Sequence, residues 1–255
     1  MLVYLTYLVF FMGFIQRFIL VPLTFAFPAY TNGLLGSWSR LQSQVPLRLL
    51  RIIAGVRVLV DGSIGPENRV VIMNHQSLID IVIGIRASPG NLTLIPTRRR
   101  YAWGIPGVSM FIRLARYPLI GQTRKSIRAD LAVLEEAADR CRRDGTSLLI
   151  FPEGHRTRDG SILPFMTRGL RIVLSRAPLP VYCIVADGMW QVRTLGDTAL
   201  RVAGSQIQVR IIGPFQPPGE ESEIPAFLTL VRARMIETLN DIRADASPRP
   251  AIPLL

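Results

Sequence analysis

From about Arg48 onward, the apolar residues of this chain alternate between runs with the two-residue period of a strand and runs with the longer period of a helix. This alternation constrains the fold more than any other feature, because strands separated by helices assemble into a sheet that helices cover. We therefore predict an α/β fold with a central, mostly parallel or mixed sheet flanked by helices. The predicted strands are residues 57–61, 70–73, 93–96, 147–151, 181–186 and 206–212.

Two helices of this domain are marked by their own patterns. Apolar residues recur at helical spacing over residues 127–141. They follow Ser126, a residue type favoured at helix N-termini, and precede Gly145, which suits the position just past a helix end. A further helix is predicted over residues 224–243.

The N-terminal segment, residues 2–29, is almost wholly apolar and is interrupted mainly by Gln16 and Arg17. A spanning helix needs about 20 apolar residues, so the segment either spans a membrane once or forms two shorter helices broken near Gln16 that dip into one leaflet. A cleaved signal peptide is disfavoured, because no basic residue precedes the apolar run. We expect a membrane-anchoring element.

Arginines follow this segment closely, at positions 40, 48, 51 and 57. The positive-inside rule then predicts that the rest of the chain lies on the cytoplasmic side of the cell's inner membrane. The predicted layout is an anchoring segment and connector over residues 1–47, one domain over residues 48–246, and a loose, proline-containing tail over residues 247–255.

The net charge of +12 is carried almost wholly by arginine, with Lys125 as the single lysine. The guanidinium fork binds phosphate, so we expect phosphate groups near the protein surface. A basic charge fits nucleic acid, anionic lipid or an acidic protein. The apolar fraction of 49% and the absence of a basic recognition helix favour a membrane and argue against nucleic acid. Cys141 and Cys183 have neither zinc-site spacing nor a disulfide pattern, so we predict no metal site and a reducing compartment.

The first chemical cluster lies where the strand 70–73 ends, at Asn74 and His75. A helix is predicted from about Gln76, so His75 lies at a strand-to-helix turn, where an imidazole can accept a proton at neutral pH. Asp80, five residues on, can reach back and orient the imidazole. Alternatively, His75 caps the helix and Asp80 is favoured only by the helix dipole.

The second cluster, Glu153, Gly154, His155 and Arg156, also follows a predicted strand. Glycine lets backbone approach a ligand, Arg156 can bind a phosphate, and Glu153 can orient that arginine or a substrate hydroxyl. The alternative is an ordinary strand exit with a local Glu–Arg pair. Open α/β sheets bind ligands at the carboxyl ends of their strands, so the two clusters, which hold both histidines of the chain, predict one site.

The spacing from His75 to Asp80, followed by Phe-Pro-Glu-Gly-x-Arg at residues 151–156, resembles the glycerolipid acyltransferase family. The phenylalanine-basic-glycine turn at residues 164–169 and the apolar block at residues 179–184 are similar to further blocks of that family. The resemblance covers about residues 59–213, and the N-terminal apolar element is similar to the family's membrane anchor.

One block departs from the family pattern. The family usually has an Ile-Asp-Arg type stretch, whose arginine helps to bind the acceptor, but residues 119–124 of this chain place Arg124 two positions away. Either Arg124 takes over the phosphate contact or the acceptor differs from lysophosphatidic acid. His155 stands where the family often has threonine or serine, and we interpret it as a variant and not as a catalyst.

The resemblance implies that His75 is the general base and that Asp80 orients it, while Glu153, Gly154 and Arg156 bind the acceptor. It implies transfer of a fatty acyl group from acyl-CoA or acyl carrier protein to the hydroxyl of a lysophospholipid, with no permanently bound cofactor. Lysophosphatidic acid is the default acceptor, and an amino-acid-containing lysolipid is the alternative. The partners are then a phospholipid membrane, the lysophospholipid and an acyl carrier protein.

Two other classes of function remain open, a non-catalytic membrane protein that binds anionic lipid and a hydrolase of the same esters or thioesters. The first gives no reason for a histidine and a carboxylate at one strand end. The second normally shows a G-x-S-x-G nucleophile elbow, a metal set or a second activating histidine, and the sequence has no such elbow.

Overall fold

A mixed, mostly parallel sheet forms the centre of the protein. The computed structural model describes residues 2–121, 123–192, 202–245 and 252–253, without the side chains of residues 2–6, 8, 9, 124, 252 and 253. The main sheet has seven strands in the order β3-β6-β2-β7-β8-β1-β9, and a two-stranded sheet pairs β4 with β5. The strands are β1 (Arg57–Asp61), β2 (Val70–Met73), β3 (Thr93–Leu94), β4 (Thr97–Arg98), β5 (Leu119–Ile120), β6 (Ser147–Ile150), β7 (Val181–Asp187), β8 (Gln206–Phe215) and β9 (Ile252–Pro253).

Strand β2 lies in the middle of the sheet and is fully buried, as a run of Val, Val, Ile and Met requires when both faces are covered. It pairs in parallel with β6 and with β7, whereas β7 and β8 are antiparallel. The predicted α/β fold with a mostly parallel or mixed sheet is therefore confirmed. Strand β3 is shorter than predicted and ends before Pro96, because proline has no N–H to donate to a ladder.

Eight helices cover the sheet or precede it in the described part of the chain. They are α1 (Leu2–Ile15), α2 (Val21–Ala26), α3 (Thr31–Ala54), α4 (Ile79–Ala87), α5 (Val108–Leu114), α6 (Ile127–Arg143), α7 (Thr167–Arg176) and α8 (Ile224–Ala244). Both predicted helices of the domain are present as α6 and α8. Ser126 does stand at the start of α6 but makes no capping bond there, since its hydroxyl instead pairs with Thr123 and Asp130.

The N-terminal helices differ in detail from the prediction. The break expected near Gln16 is a π-helical turn, Gln16–Leu20, through which the helix continues, and the chain leaves helical geometry only at Phe27, where Pro28 follows. No single described helix is long and apolar enough to cross a membrane. The pair Phe10–Ala26 and Pro28–Ala54, bent by 111°, meets that test together by length and composition.

Two expected boundaries fall differently in the structure. The boundary predicted between residues 47 and 48 lies inside α3, so the connector is a continuous helix that packs against α4. Two residues of the predicted loose tail, in β9, pair with β1, and the other residues of 247–255 lie outside the described part of the chain.

Candidate active site

His75 and Asp80 are in direct contact at the carboxyl end of β2. His75 Nδ1 lies 3.0 Å from Asp80 Oδ2, and Asp80 is 1% exposed while the imidazole is 16% exposed. The same carboxylate oxygen accepts hydrogen bonds from the backbone N–H groups of Gln76 and Ser77, at 2.6 Å each. Asp80 thus orients the imidazole and also closes the turn that precedes α4.

The alternative in which His75 caps the helix is not what the structure shows, since the N-cap position of α4 is Leu78 and no side chain makes a capping bond there. Asp80 does lie in the first turn of α4, and it also contacts the imidazole. The helix predicted from about Gln76 begins only at Ile79, because the backbone N–H groups of Gln76 and Ser77 are taken by the Asp80 side chain. Of the two ring nitrogens of His75, Nδ1 contacts Asp80, and Nε2 has no hydrogen-bond partner in the part of the chain that the structure describes.

The loop after β6 holds the backbone of His75 from both sides. The His75 N–H donates to Glu153 Oε1 at 2.9 Å, and the Thr157 N–H donates to the His75 carbonyl at 2.8 Å. The Phe151 ring lies on the imidazole, with the two ring centroids 4.3 Å apart. Because β2 and β6 are parallel neighbours, their carboxyl ends meet, and the structure brings the two clusters together at one edge of the sheet.

Glu153 is 1% exposed, and both of its carboxylate oxygens accept backbone N–H groups. Oε1 binds the His75 N–H, and Oε2 binds the Leu163 N–H at 2.9 Å. Burial raises the pKa of Glu153 from 4.5 to about 7, against the lowering effect of these two hydrogen bonds. The structure places Glu153 behind His75 with backbone partners, where the sequence predicted a partner in Arg156 or in a substrate hydroxyl.

The other residues of the second cluster lie on the same loop. Gly154 has a φ of 71°, a conformation that favours glycine, and a Cβ there would force the Met166 sulfur to move. His155 is exposed, and Arg156 is half-buried directly before Thr157, the residue whose N–H binds the His75 carbonyl. This contact brings the backbone of Arg156 close to that of His75.

Arg124 begins a 3₁₀ turn, Arg124–Ser126, that follows β5 of the small sheet. Its side chain lies outside the described part of the structure, so the predicted phosphate contact of Arg124 stays a prediction.

A polar network that the sequence analysis did not identify supports the turn from the other side. Gln76 Nε2 donates to Asp187 Oδ1 at 2.9 Å, and Arg243 of α8 donates to both Asp187 oxygens, at 2.9 and 3.0 Å. Arg243 also donates to the Gly160 carbonyl at 2.9 Å. Burial acts to raise the pKa of Asp187, but the hydrogen bonds from Arg243 and Gln76 outweigh it and hold that pKa below its usual range.

One signal could have located part of this network. Asp187 ends strand β7 just as His75 follows β2, so it is a polar residue at the carboxyl end of a strand. Asn74 has a related role, since its side-chain amide exchanges two hydrogen bonds of 2.8 Å with the backbone of Ala186 and extends the pairing of β2 with β7. Arg243 carries no such signal, because it comes from a helix 56 residues further along the chain.

The two cysteines are buried in the core. Burial raises the pKa of Cys141 to about 11 and raises that of Cys183 still further. A thiol with a raised pKa stays protonated at neutral pH, and the thiolate is the reactive form. An acyl intermediate on either cysteine is therefore disfavoured.

Comparison with known proteins places the chain in a family. The chain is 28% identical to human 1-acyl-sn-glycerol-3-phosphate acyltransferase alpha over 200 residues, which cover 77% of this chain and 68% of the human protein. It is 28% identical to the 1-acyl-sn-glycerol-3-phosphate acyltransferase of Cocos nucifera over 205 residues, or 78% of this chain and 63% of the plant protein.

The fold matches a solved structure as well. The crystal structure of the 1-acyl-sn-glycerophosphate acyltransferase PlsC from Thermotoga maritima superimposes with a TM-score of 0.62 at 20% identity, over 92% of this chain and 95% of that one. The model of the Acyltransferase family matches residues 57–187, from the first residue of β1 to the last of β7. The match includes both clusters around His75, and the chain therefore belongs to the acyltransferase family and is an acyltransferase enzyme.

Proposed function

We propose that this enzyme transfers a fatty acyl group from a thioester donor to the free hydroxyl of a lysophospholipid, with lysophosphatidic acid as the acceptor and phosphatidic acid as the product. One observation carries the proposal: an imidazole whose Nδ1 is held by a buried carboxylate and whose Nε2 remains available, next to a loop that carries Arg156. The relatives named above, which are acyltransferases of 1-acyl-sn-glycerol-3-phosphate, support this acceptor.

The proposed reaction needs no covalent enzyme intermediate. Asp80 accepts a hydrogen bond from the Nδ1–H of His75, and the tautomer fixed in this way has its lone pair on Nε2. Nε2 takes the proton of the acceptor hydroxyl as that oxygen attacks the thioester carbonyl. The carbon–sulfur bond then breaks, and the leaving thiolate takes the proton back from the imidazolium, which Asp80 has stabilised in the meantime. The products are the new ester and the free thiol.

Substitution of His75 tests this role directly. Loss of a general base typically lowers the rate by about 100- to 10,000-fold, so His75→Ala should abolish most of the turnover of lysophosphatidic acid with acyl-CoA or acyl carrier protein as donor. His155→Ala is the matched control, because His155 is the other histidine of the chain and is exposed on the adjoining loop. Near-full turnover in His75→Ala would exclude His75 as the base.

The role of the Asp80 charge can be separated from its role in the turn. Asp80→Asn retains an oxygen that can accept the same backbone hydrogen bonds but removes the negative charge beside His75. A charged hydrogen bond exceeds a neutral one by about 1–2 kcal/mol, so we expect kcat to fall roughly tenfold while the protein remains folded. Wild-type kcat in Asp80→Asn would show that the carboxylate serves only as a cap.

We further propose that Arg156, aided by Gly154, binds the phosphate of the acceptor. Loss of a charged hydrogen bond costs about 1.5–3 kcal/mol, so Arg156→Ala should raise the acceptor KM roughly 10- to 100-fold with a smaller effect on kcat. Arg158→Ala, an exposed arginine of the same loop, is the control. An unchanged KM with reduced turnover would argue against phosphate binding by Arg156.

A screen of acceptors and donors tests the remaining assignments. Turnover is measured for lysophosphatidic acid and for an amino-acid-containing lysolipid, each with acyl-CoA and with acyl carrier protein, and the fastest combination identifies the preferred acceptor and donor. The acceptor KM of Arg124→Ala shows whether that arginine contributes to acceptor affinity. Donor alone is the control: release of free fatty acid without acceptor would indicate a hydrolase, and no turnover with any acceptor would favour a lipid-binding protein.

We also propose that residues 1–47 hold the catalytic domain, residues 48–246, against the cytoplasmic face of a membrane. The exposed aromatic side chains of this segment support the proposal, among them Phe10, Phe14 and Phe25, each at least 59% exposed. Protease treatment of sealed vesicles of either orientation tests the side. Cleavage of the catalytic domain only in right-side-out vesicles, whose outer face is the extracytoplasmic one, would place it on the opposite side.

A further inference from the structure

Charge is distributed very unevenly along this chain. Residues 1–129 hold 15 basic and 3 acidic residues, whereas residues 130–255 hold 15 of each. The whole net charge of +12 therefore belongs to the first half. Within it, residues 81–129 contain no aspartate or glutamate at all. A basic stretch without acidic residues attracts anionic partners where it is exposed.

One segment of this acid-free stretch, residues 99–108, which we call the Trp103 loop, presents apolar side chains to solvent. Trp103 is 67% exposed, and Ile105 and Val108 are 36% and 40% exposed. Arg99 and Arg100 are exposed beside them. A large exposed aromatic residue among aliphatic ones usually marks a contact surface, because burial of that area from water is favourable.

The arginines here lie on the aromatic rings. The guanidinium of Arg113 is 4.3 Å from the centroid of the Trp103 ring, and that of Arg100 is 4.9 Å from the centroid of the Tyr101 ring. Arg113 also donates to the Ala102 carbonyl, which fixes the guanidinium over the loop. Paired arginine and aromatic side chains suit the boundary between lipid head groups and acyl chains, because each of these side chains has a polar part that contacts water and an apolar part that contacts lipid.

The Trp103 loop packs against the N-terminal helix α1. Gly13 of α1 packs so closely that a side chain there would come within 3.1 Å of the Gly107 nitrogen. The outward side chains of α1 include Phe10, Phe11 and Phe14, which are 59–61% exposed. The loop and the helix thus lie side by side, and both present large apolar side chains to solvent.

We propose that the Trp103 loop is a second membrane-binding element, which inserts Trp103 into the head-group region of an anionic phospholipid bilayer beside α1. This inference rests on the proposed anchoring of residues 1–47. A bilayer is the occupant that fits, because the surface continues onto an apolar helix and lies in the acid-free part of the chain. Arg99 and Arg100 bind lipid phosphates, and the loop thereby sets the orientation of the catalytic domain on the membrane.

Fluorescence quenching by brominated lipids tests the insertion of Trp103. The chain has three tryptophans, so Trp38→Phe with Trp190→Phe leaves Trp103 as the only one. The matched control replaces all three with phenylalanine and introduces Leu230→Trp, at a residue of α8 that is 54% exposed in the half without net charge. In vesicles of brominated phosphatidylcholine with phosphatidylglycerol, we expect Trp103 to lose several-fold more fluorescence than the tryptophan at position 230. Equal quenching at the two positions would overturn the proposal.

The arginines are tested in the same vesicles. Each arginine near an anionic surface contributes about fivefold to binding, so Arg99→Gln with Arg100→Gln should weaken the quenching of Trp103, as should replacement of phosphatidylglycerol by phosphatidylcholine. Arg142→Gln with Arg234→Gln removes the same charge from the other half and should change nothing. If the quenching of Trp103 is the same with Arg99→Gln and Arg100→Gln and in vesicles without phosphatidylglycerol, the proposed contact with anionic lipid is refuted.

Hydrogen–deuterium exchange on the wild-type enzyme gives an independent measurement that requires no substitution. Residues 99–108 should exchange more slowly in anionic nanodiscs than in detergent, and unchanged exchange there would overturn the proposal. Acyl transfer is assayed on the same samples. Slower exchange in anionic nanodiscs without turnover would reject the proposed reaction alone, whereas turnover without slower exchange would reject only the membrane contact of the loop.

Discussion

Glu153→Gln is the substitution that separates packing from proton binding most sharply. The side chain keeps its size, but one of its two terminal atoms changes from an acceptor to a donor. The N–H groups of His75 and Leu163 both point at this carboxylate, so one of them must face an N–H₂ group and lose its partner. An unsatisfied buried N–H costs about 1–3 kcal/mol of unfolding free energy.

The size of the effect depends on pH, because the pKa of Glu153 is about 7 in the folded protein and 4.5 in the reference state. The folded state therefore binds the proton more tightly, and the resulting stability is fully present below pH 4.5 and lost as pH rises through 7. This difference in pKa corresponds to roughly 3 kcal/mol of unfolding free energy, which is lost as the pH rises from the lower pKa to the higher one. Glutamine cannot titrate, so the excess stability of the wild type over Glu153→Gln should shrink by a similar amount from pH 5 to pH 8.

Urea unfolding in one non-ionic detergent, followed by tryptophan fluorescence at four pH values between 5 and 8, measures this difference. Glu136→Gln serves as the control, since Glu136 is 62% exposed on α6 and its effect should not vary with pH. A stability difference between wild type and Glu153→Gln that is the same at every pH would refute the reasoning. A difference that grows with pH would mean that the hydrogen bonds outweigh burial.

Two further substitutions probe the support of the site. Arg243→Met removes a partner of Asp187, so kcat should fall with little change in acceptor KM, and Arg243→Lys should restore part of the lost kcat. Arg234→Met on the same helix is the control and should leave kcat unchanged. Equal losses of kcat in the two methionine variants would mean that the effect comes from a general disturbance of α8. Gly84→Val should lower stability by about 1–3 kcal/mol in a thermal unfolding assay, because a Cβ there would lie 2.6 Å from Leu149, and an unchanged melting temperature would show that α4 shifts freely.

The parts of the fold that were predictable are those with strong local patterns. Strands β1 and β2 have the predicted bounds, since each has a short apolar run with a polar residue at or directly after its end, Asp61 in β1 and Asn74 after β2. Of the two alternatives for the N-terminal segment, the one with two shorter helices put the break near Gln16, because a polar residue looked more disruptive than the Phe27–Pro28 step, where helical geometry in fact ends. A helix can bury a glutamine, whereas proline restricts the residue before it.

The site was predictable where side chains make the contact and not where backbone does. The His75–Asp80 pair is visible as residue types at a fixed spacing. The partners of Glu153 are two backbone N–H groups, which every residue type except proline offers, so no sequence signal identifies them. Arg243 contacts Asp187 across a distance of 56 residues, and only the packing of α8 brings the two together.

The loop after β6 holds the His75 backbone through two hydrogen bonds, and this affects attempts to change the acceptor. The segment that carries Arg156 also supplies the two hydrogen bonds that position the proposed base. Substitutions that adapt this segment to a new head group will therefore interact non-additively with substitutions at His75. With the proposed roles of Arg156 and His75, a loop grafted from another family member will transfer its acceptor specificity only if it restores a carboxylate at position 153 and the backbone geometry of Thr157. Acceptor choice and proton transfer would then be constrained by one segment of the chain.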